Sequence, residues 1–278
     1  MERIKIVTDS TCDLDPETLR EYKITSVPLK VYFGEKEYRD GIDITSEEFY
    51  KMLKTSPYHP RTSQPSPYEF LECYKSLKSE ADRIISIHIS SKLSGTYNSA
   101  LIAKKMVDIP VDVIDTEGAS IMVGIIAREA ARASLEGKSR EEIIELINYL
   151  KEKIKIYFSV DTLEYLQKGG RIGKAAAFLG GLLNIKPILT LKEGIIVPVD
   201  RVRGKDRVYS RLLELVRQDN ITGPLNVAIM NSNARDEADI LKNMLLNEFQ
   251  VKEIITADLG PVIGTHTGPG VIGVVFYS

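Results

Sequence analysis

Ser90, Ser91, Ser94, Gly95 and Thr96 stand close together in the stretch IISIHISSKLSGTYNSA, residues 84–100. Isoleucines at 84, 85, 87 and 89 make the lead-in an apolar strand, and the spacing predicts a helix opening near Thr96 to Asn98. A strand end feeding a helix N-terminus in an open α/β sheet is the usual place for a ligand. Free backbone N–H groups and the positive end of the helix dipole favour an anion there. Hydroxyls and a glycine let that anion come close. Taken alone, S-G-T is equally a capped helix start.

Other stretches carry similar side chains. Residues 4–7 form a short strand that ends in Thr8-Asp9-Ser10-Thr11, again ahead of a helix start, with Asp15 as N-cap and Pro16 at the first helical position. Cys12 has no His or Lys near it in sequence and reads as an inert thiol. The loop TSPYHPRTSQPS, residues 55–66, ends with Thr62 and Ser63, whose hydroxyls can serve a neighbouring site. His266 sits in Gly264-Thr265-His266-Thr267-Gly268. That reads as a glycine-rich turn, with the imidazole as an anion contact or a structural side chain. His59 falls in the Pro-rich loop and His88 in the central strand, where it reads as structural. Arg171, between Gly170 and Ile172, is either a counter-ion or a solvated charge. Arg201, Arg203, Lys205, Arg207 and Arg211 form a basic run that is either a solvated face or a docking surface.

Several familiar motifs fail on context. Gly268-Pro-Gly270-Val-Ile-Gly273 has dinucleotide-loop spacing but leads into a strand pattern instead of a helix. GGRIGKA, residues 169–175, is too short for a phosphate loop and has Ala where Ser or Thr would hold magnesium. Two distant cysteines give no metal or redox spacing. With 37 basic and 39 acidic residues the net charge is −2, which argues against a general nucleic-acid binder. The opening MERIKIVTDS enters a strand with no secretory h-region, and apolar runs fall far short of a membrane span of ~20 residues. A soluble, cytoplasmic protein without cofactor or metal is the expectation.

Strand and helix patterns alternate along all 278 residues, which predicts an α/β fold with mainly parallel sheets. Gly34-Glu35 and Glu193-Gly194 predict hairpins. Thr45 with Glu48, Ser66 with Glu69, Ser139 with Glu142 and Asp161 with Glu164 predict helix starts. A new set of elements begins near 155, dividing the chain into an N-terminal α/β domain, 1–155, and a C-terminal one, 156–278.

Five motifs together resemble the DegV family of bacterial lipid-binding proteins. They are Thr8-Asp9-Ser10, Thr62-Ser63-Gln64-Pro65-Ser66-Pro67, the run SSKLSGTY from Ser90, the run DTLEYLQKGGRIG from Asp161, and GTHTGPG from Gly264. The resemblance implies two α/β domains holding a long-chain fatty acid between them. It also implies a non-catalytic subunit of bacterial fatty acid kinase, whose separate catalytic subunit phosphorylates the carboxylate for phospholipid synthesis. On that resemblance Thr62, Ser94 and the Gly95 N–H contact the carboxylate, and Ser63, Arg171, Thr265 and His266 form the surrounding polar network. Arg201, Arg203, Lys205 and Arg207 become candidates for kinase docking, with at most transient membrane contact to collect or deliver lipid. Small residues at 175–177 and 180–181, beside Phe178 and Leu182, are candidates to line the acyl tunnel. Burying about 14 methylenes at ~0.8 kcal/mol each would supply roughly 11 kcal/mol before association costs. Two other readings of these residues stay open: an acyl hydrolase or transferase using Ser94 and His266, and a phosphosugar- or nucleotide-binding enzyme built on the glycine-rich turns.

Overall fold

The computed structural model describes residues 2–180, 184–219 and 222–278. The chain divides into two compact units, Met1–Ile44 with Tyr58–Glu152, and Thr45–Pro57 with Lys153–Ser278. Residues 45–57, which chain order places in the N-terminal stretch, pack with the second unit instead.

The first unit begins with β1 (Ile4–Asp9), α1 (Pro16–Glu21), β2 (Thr25–Val27), β3 (Lys30–Phe33) and β4 (Lys36–Arg39). The next helix, α2 (Ser46–Thr55), belongs to the second unit. The first unit resumes with β5 (Arg61–Ser63), α3 (Pro67–Leu77), β6 (Arg83–His88), α4 (Thr96–Lys104), β7 (Val111–Asp115), α5 (Ile121–Leu135) and α6 (Arg140–Lys153). Its main sheet runs β2-β1-β6-β7, all parallel. The two central strands are buried along nearly their whole length, as a parallel strand covered by helices on both faces must be. From β1 the chain crosses to β2 on one side, and from β6 to β7 on the other. The carboxyl ends of β1 and β6 therefore flank the point where strand order reverses, the usual ligand crevice of an open α/β sheet. A second sheet, β4-β3-β5, carries the Gly34-Glu35 hairpin and brings in Thr62 opposite Val31. Helix starts follow the local chemistry. Asp15 accepts the N–H groups of Glu17 and Thr18, and Ser66 with Glu69 closes a full capping box.

The second unit contains β8 (Lys155–Ser159), α7 (Glu164–Lys168), β9 (Ile185–Lys192), β10 (Ile195–Arg203), α8 (Lys205–Gln218), β11 (Leu225–Asn231), α9 (Arg235–Glu248), β12 (Val251–Asp258), α10 (Pro261–Thr267) and β13 (Ile272–Tyr277). Its sheet order is β10-β9-β8-β13-β11-β12. Here the expectation of a mainly parallel sheet fails, since only the β11–β12 pair is parallel. Glu193 and Gly194 both adopt positive φ, 52° and 77°, and a two-residue turn of that kind folds the chain straight back. The last strand then inserts antiparallel between β8 and β11. Val208, Leu212 and Leu213 of α8 and Leu241 and Leu245 of α9 pack with Ile188, Val274 and Phe276 in one core. Helix α2 joins this unit through its aromatic residues: the Tyr50 hydroxyl donates to the Leu259 carbonyl at 3.2 Å. A Cβ on Gly264 would meet that hydroxyl at 2.6 Å.

Candidate functional site

In the first unit the switch point is built on a buried polar chain. Tyr74 Oη donates to Ser86 Oγ at 2.8 Å, Ser86 Oγ lies 2.6 Å from His88 Nε2, and His88 Nδ1 lies 2.9 Å from Asp9 Oδ2. The same Asp9 oxygen accepts the Ile89 N–H at 3.2 Å, and the other accepts both the N–H and the hydroxyl of Thr11. Asp9, Ser86 and His88 have no exposed surface. A carboxylate only accepts, so Nδ1 is the protonated nitrogen and Nε2 receives the Ser86 hydroxyl. His88 is structural, as its place in the strand suggested. The chain ties the end of β1 to the end of β6 directly beneath the Ser90–Gly95 turn.

That turn is fixed at its base. Ser90 N–H donates to Gly118 at 2.8 Å, and the N–H groups of Leu93 and Ser94 both donate to Ser90, each at 3.0 Å. Ser94 Oγ lies 2.8 Å from Thr96 Oγ1 and is half-buried. Gly95 is the N-cap of α4 and supplies no side-chain cap, while the Thr96 N–H donates to Ser94 Oγ at 3.3 Å. A Cβ on Gly95 would collide with the Gln64 carboxamide. Gln64 follows Thr62 and Ser63, both half-buried on β5, so this contact brings the T-S-Q-P and S-S-x-x-S-G motifs together. Ser63 Oγ lies 3.3 Å from Tyr32 Oη, which donates to Glu37 at 2.7 Å. Two hydroxyl-bearing segments and a helix N-terminus thus meet in one unit. Such an arrangement can hold a small anion without a charged side chain.

The second unit assembles the other candidates. His266 lies in the last turn of α10, not in a glycine turn as its neighbours suggested. Pro261 starts that helix and Gly268, at φ 73°, ends it, so the glycines cap a helix instead of forming a loop. A Cβ on Gly169 would collide with His266 Nδ1, so the glycine pair after α7 lets the imidazole lie against the backbone. Arg171 Nη1 donates to the Gly169 carbonyl at 2.7 Å. Thr265 is buried and bonds back to Pro261 at 2.9 Å. Arg171, Thr265 and His266 are therefore neighbours through Gly169 and α10. Asp161 does not cap α7 as expected. It pairs with Lys186 at 2.8 Å, and Thr162 accepts the Glu164 N–H instead, because the helix opens at 164 and leaves the hydroxyl within reach.

The stretch read as a small-residue helix is a short 3-10 segment, Gly173–Phe178, with Ala175 buried and Ala176 and Ala177 exposed. Gly181 and Leu182 lie outside the described residues. Beside the segment is a cleft of about 270 Å³, whose walls mix polar residues such as Asp161, Glu164, Gln167 and Arg201 with apolar ones such as Phe178 and Ile185. The basic run is heterogeneous. Arg201 stands over the Phe178 ring, 4.5 Å from its centre, and Lys205 pairs with Glu237 at 2.8 Å. Arg211 is held by Asp200 and Glu214, while Arg203 and Arg207 are exposed. Cys12 is fully buried, and burial pushes its thiol far above the usual range. Burial pushes Cys73 up to about 12. Among the described residues no three His, Cys, Asp or Glu side chains stand together as metal ligands, and no helix is long and apolar enough to cross a membrane.

Fold and site define an α/β protein whose first unit sets two hydroxyl-bearing segments beside a helix N-terminus at the carboxyl ends of its parallel strands. The chain belongs to the DegV family: the model of the family, described as an uncharacterised protein family, matches residues 3–278. Protein DegV of Bacillus subtilis is 38% identical over 274 residues, covering 98% of each chain. Among solved structures, a DegV family protein from Thermus thermophilus described for its fatty acid binding shares 39% identity at a TM-score of 0.94, with 99% of both chains covered. A fat acid (stearic acid)-binding protein from Eubacterium ventriosum shares 30% identity at a TM-score of 0.91, covering 99% of this chain and 98% of its own.

Proposed function

We propose that this protein binds a long-chain fatty acid and holds its carboxylate at the Ser94–Gly95 turn. One observation carries the reading: the Gln64–Gly95 contact sets the Thr62 segment beside the N-terminus of α4, in a chain 39% identical over its whole length to a fatty-acid-binding relative. Thr62, Ser94 and the Gly95 N–H are the proposed carboxylate contacts, with Ser63, Arg171, Thr265 and His266 as the polar surroundings. Hydroxyl and backbone donors suit a carboxylate that must stay chemically accessible, because they bind it without a competing salt bridge. The acyl chain supplies most of the affinity and the head group sets orientation. The protein itself is a carrier and performs no chemistry.

The carrier serves a separate cytoplasmic fatty acid kinase, which phosphorylates the presented carboxylate and feeds phospholipid synthesis. Exposed Arg203 and Arg207, with Arg201 and Lys205 beside them in sequence, offer an acidic partner a docking surface. Mass spectrometry of an organic extract of the natively purified protein tests the first part. One equivalent of a long-chain fatty acid is expected; an empty extract, with no uptake of added fatty acid, refutes it. Charge reversal at both Arg203 and Arg207 tests the second, with kinase-coupled turnover expected to fall while lipid binding holds; unchanged turnover refutes it.

A further inference from the structure

We infer that Gln64 is a further head-group residue, whose carboxamide turns an N–H toward the bound carboxylate and whose neutrality the anion requires. This rests on the fatty-acid reading above and extends it to a side chain outside the Thr62, Ser94 and Gly95 set. The carboxamide lies against Gly95 so closely that a Cβ there would collide first with Nε2, the donor nitrogen, and come within 2.5 Å of Oε1. Pro65 beside it is buried and fixes the backbone, whereas Gln64 itself is exposed. The contact therefore sits at the edge of the seat that Ser94 and Gly95 form.

Stability alone would choose a different residue. Gly95 opens a nine-residue helix and brings no side-chain cap. An acidic side chain laid over that end would be favoured by the helix dipole. Glutamine is isosteric with glutamate and forgoes that charge. An anion held at the same helix end supplies the reason, since a second negative charge there would repel it. A carboxamide, by contrast, brings an N–H to the glycine end of the helix and can donate it to an anion held there.

The test compares delipidated wild-type protein with Gln64→Glu and Gln64→Ala. Binding is measured for palmitate and for hexadecanol, its uncharged analogue, and thermal midpoints are measured without ligand. Gln64→Glu is expected to keep or raise the midpoint while weakening palmitate at least about tenfold and leaving hexadecanol within about twofold. Gln64→Ala is expected to weaken palmitate about three- to tenfold through loss of one donor. Palmitate affinity within twofold of wild type in either variant overturns the inference. Equal losses for palmitate and hexadecanol in Gln64→Glu also overturn it, because they indicate a distorted seat and not a charge effect. Failure of the wild type to take up palmitate overturns the fatty-acid reading beneath and this assignment with it.

Discussion

Asp9→Asn is nearly isosteric, yet the geometry around it predicts a large loss of stability. Each carboxylate oxygen faces two donors: Thr11 N–H and hydroxyl on one side, Ile89 N–H and His88 Nδ1 on the other. Asparagine has one oxygen. In either flip its NH₂ points at a buried backbone N–H, so that N–H and one amide hydrogen both lose a partner. On the NH₂ side two donors lose a charged acceptor, and each such hydrogen bond is worth about 1.5–3 kcal/mol. The expected loss is therefore about 3–6 kcal/mol, against a typical domain stability of roughly 5–15 kcal/mol. At about 2–4 °C per kcal/mol the midpoint should fall by roughly 10 °C or more. Urea denaturation and thermal melting followed by circular dichroism at neutral pH measure this directly. Ser86→Ala, which removes only the middle of the chain, should cost roughly 1–2 kcal/mol. A loss below about 1 kcal/mol in Asp9→Asn would show that the network rearranges freely and would refute the argument.

Three further outcomes follow from other parts of the structure. Ser66→Ala removes the capping box of α3 and should cost about 1 kcal/mol, read as a shift in urea midpoint at constant slope. Cys12 should not react with Ellman's reagent at pH 8 in the native protein and should react in guanidinium; rapid native labelling would contradict its burial. Asp112 is held below the usual carboxylate range, first by its paired hydrogen bonds to Arg140 at 2.6 and 2.8 Å. Because its folded pKa is depressed, its contribution is present above the unfolded value of about 3.9 and is lost as pH falls through the folded value. Asp112→Asn should therefore be less stable than wild type by about 1 kcal/mol at pH 7, with the gap closing below about pH 4. A gap that persists into acid would mean the residue acts through packing.

Local chemistry made much of this molecule legible in its sequence. Capping boxes at Thr45 and Ser66, the Pro16 helix start and the two-residue hairpins all stand where residue type demands, because each is decided within four or five positions. Strand direction in the second unit was not legible: Val271 onward reads as a strand, but its place between β8 and β11 depends on residues about forty and about a hundred positions away. Glycines misled at His266, since a sequence rich in them can bound a helix as well as form a loop. Gln64 over Gly95 had no signal beyond the two motifs themselves. The Asp9–His88–Ser86 chain had one, as Ser86 and His88 lie two apart on a buried strand and so share a face.

Helix α2 gives the chain a scheduling problem during synthesis. Tyr50 finds its acceptor at Leu259, 209 positions later. At ~5–20 residues per second the ribosome needs roughly 10–40 s to deliver that partner. Throughout that interval Phe49 and Tyr50 are aromatic surface on an unfinished chain, while the elements on either side of α2 can already assemble. A chain cut after residue 155 would make the delay permanent. It would carry a helix with no partner, and the remainder would lack the ring that covers Gly264.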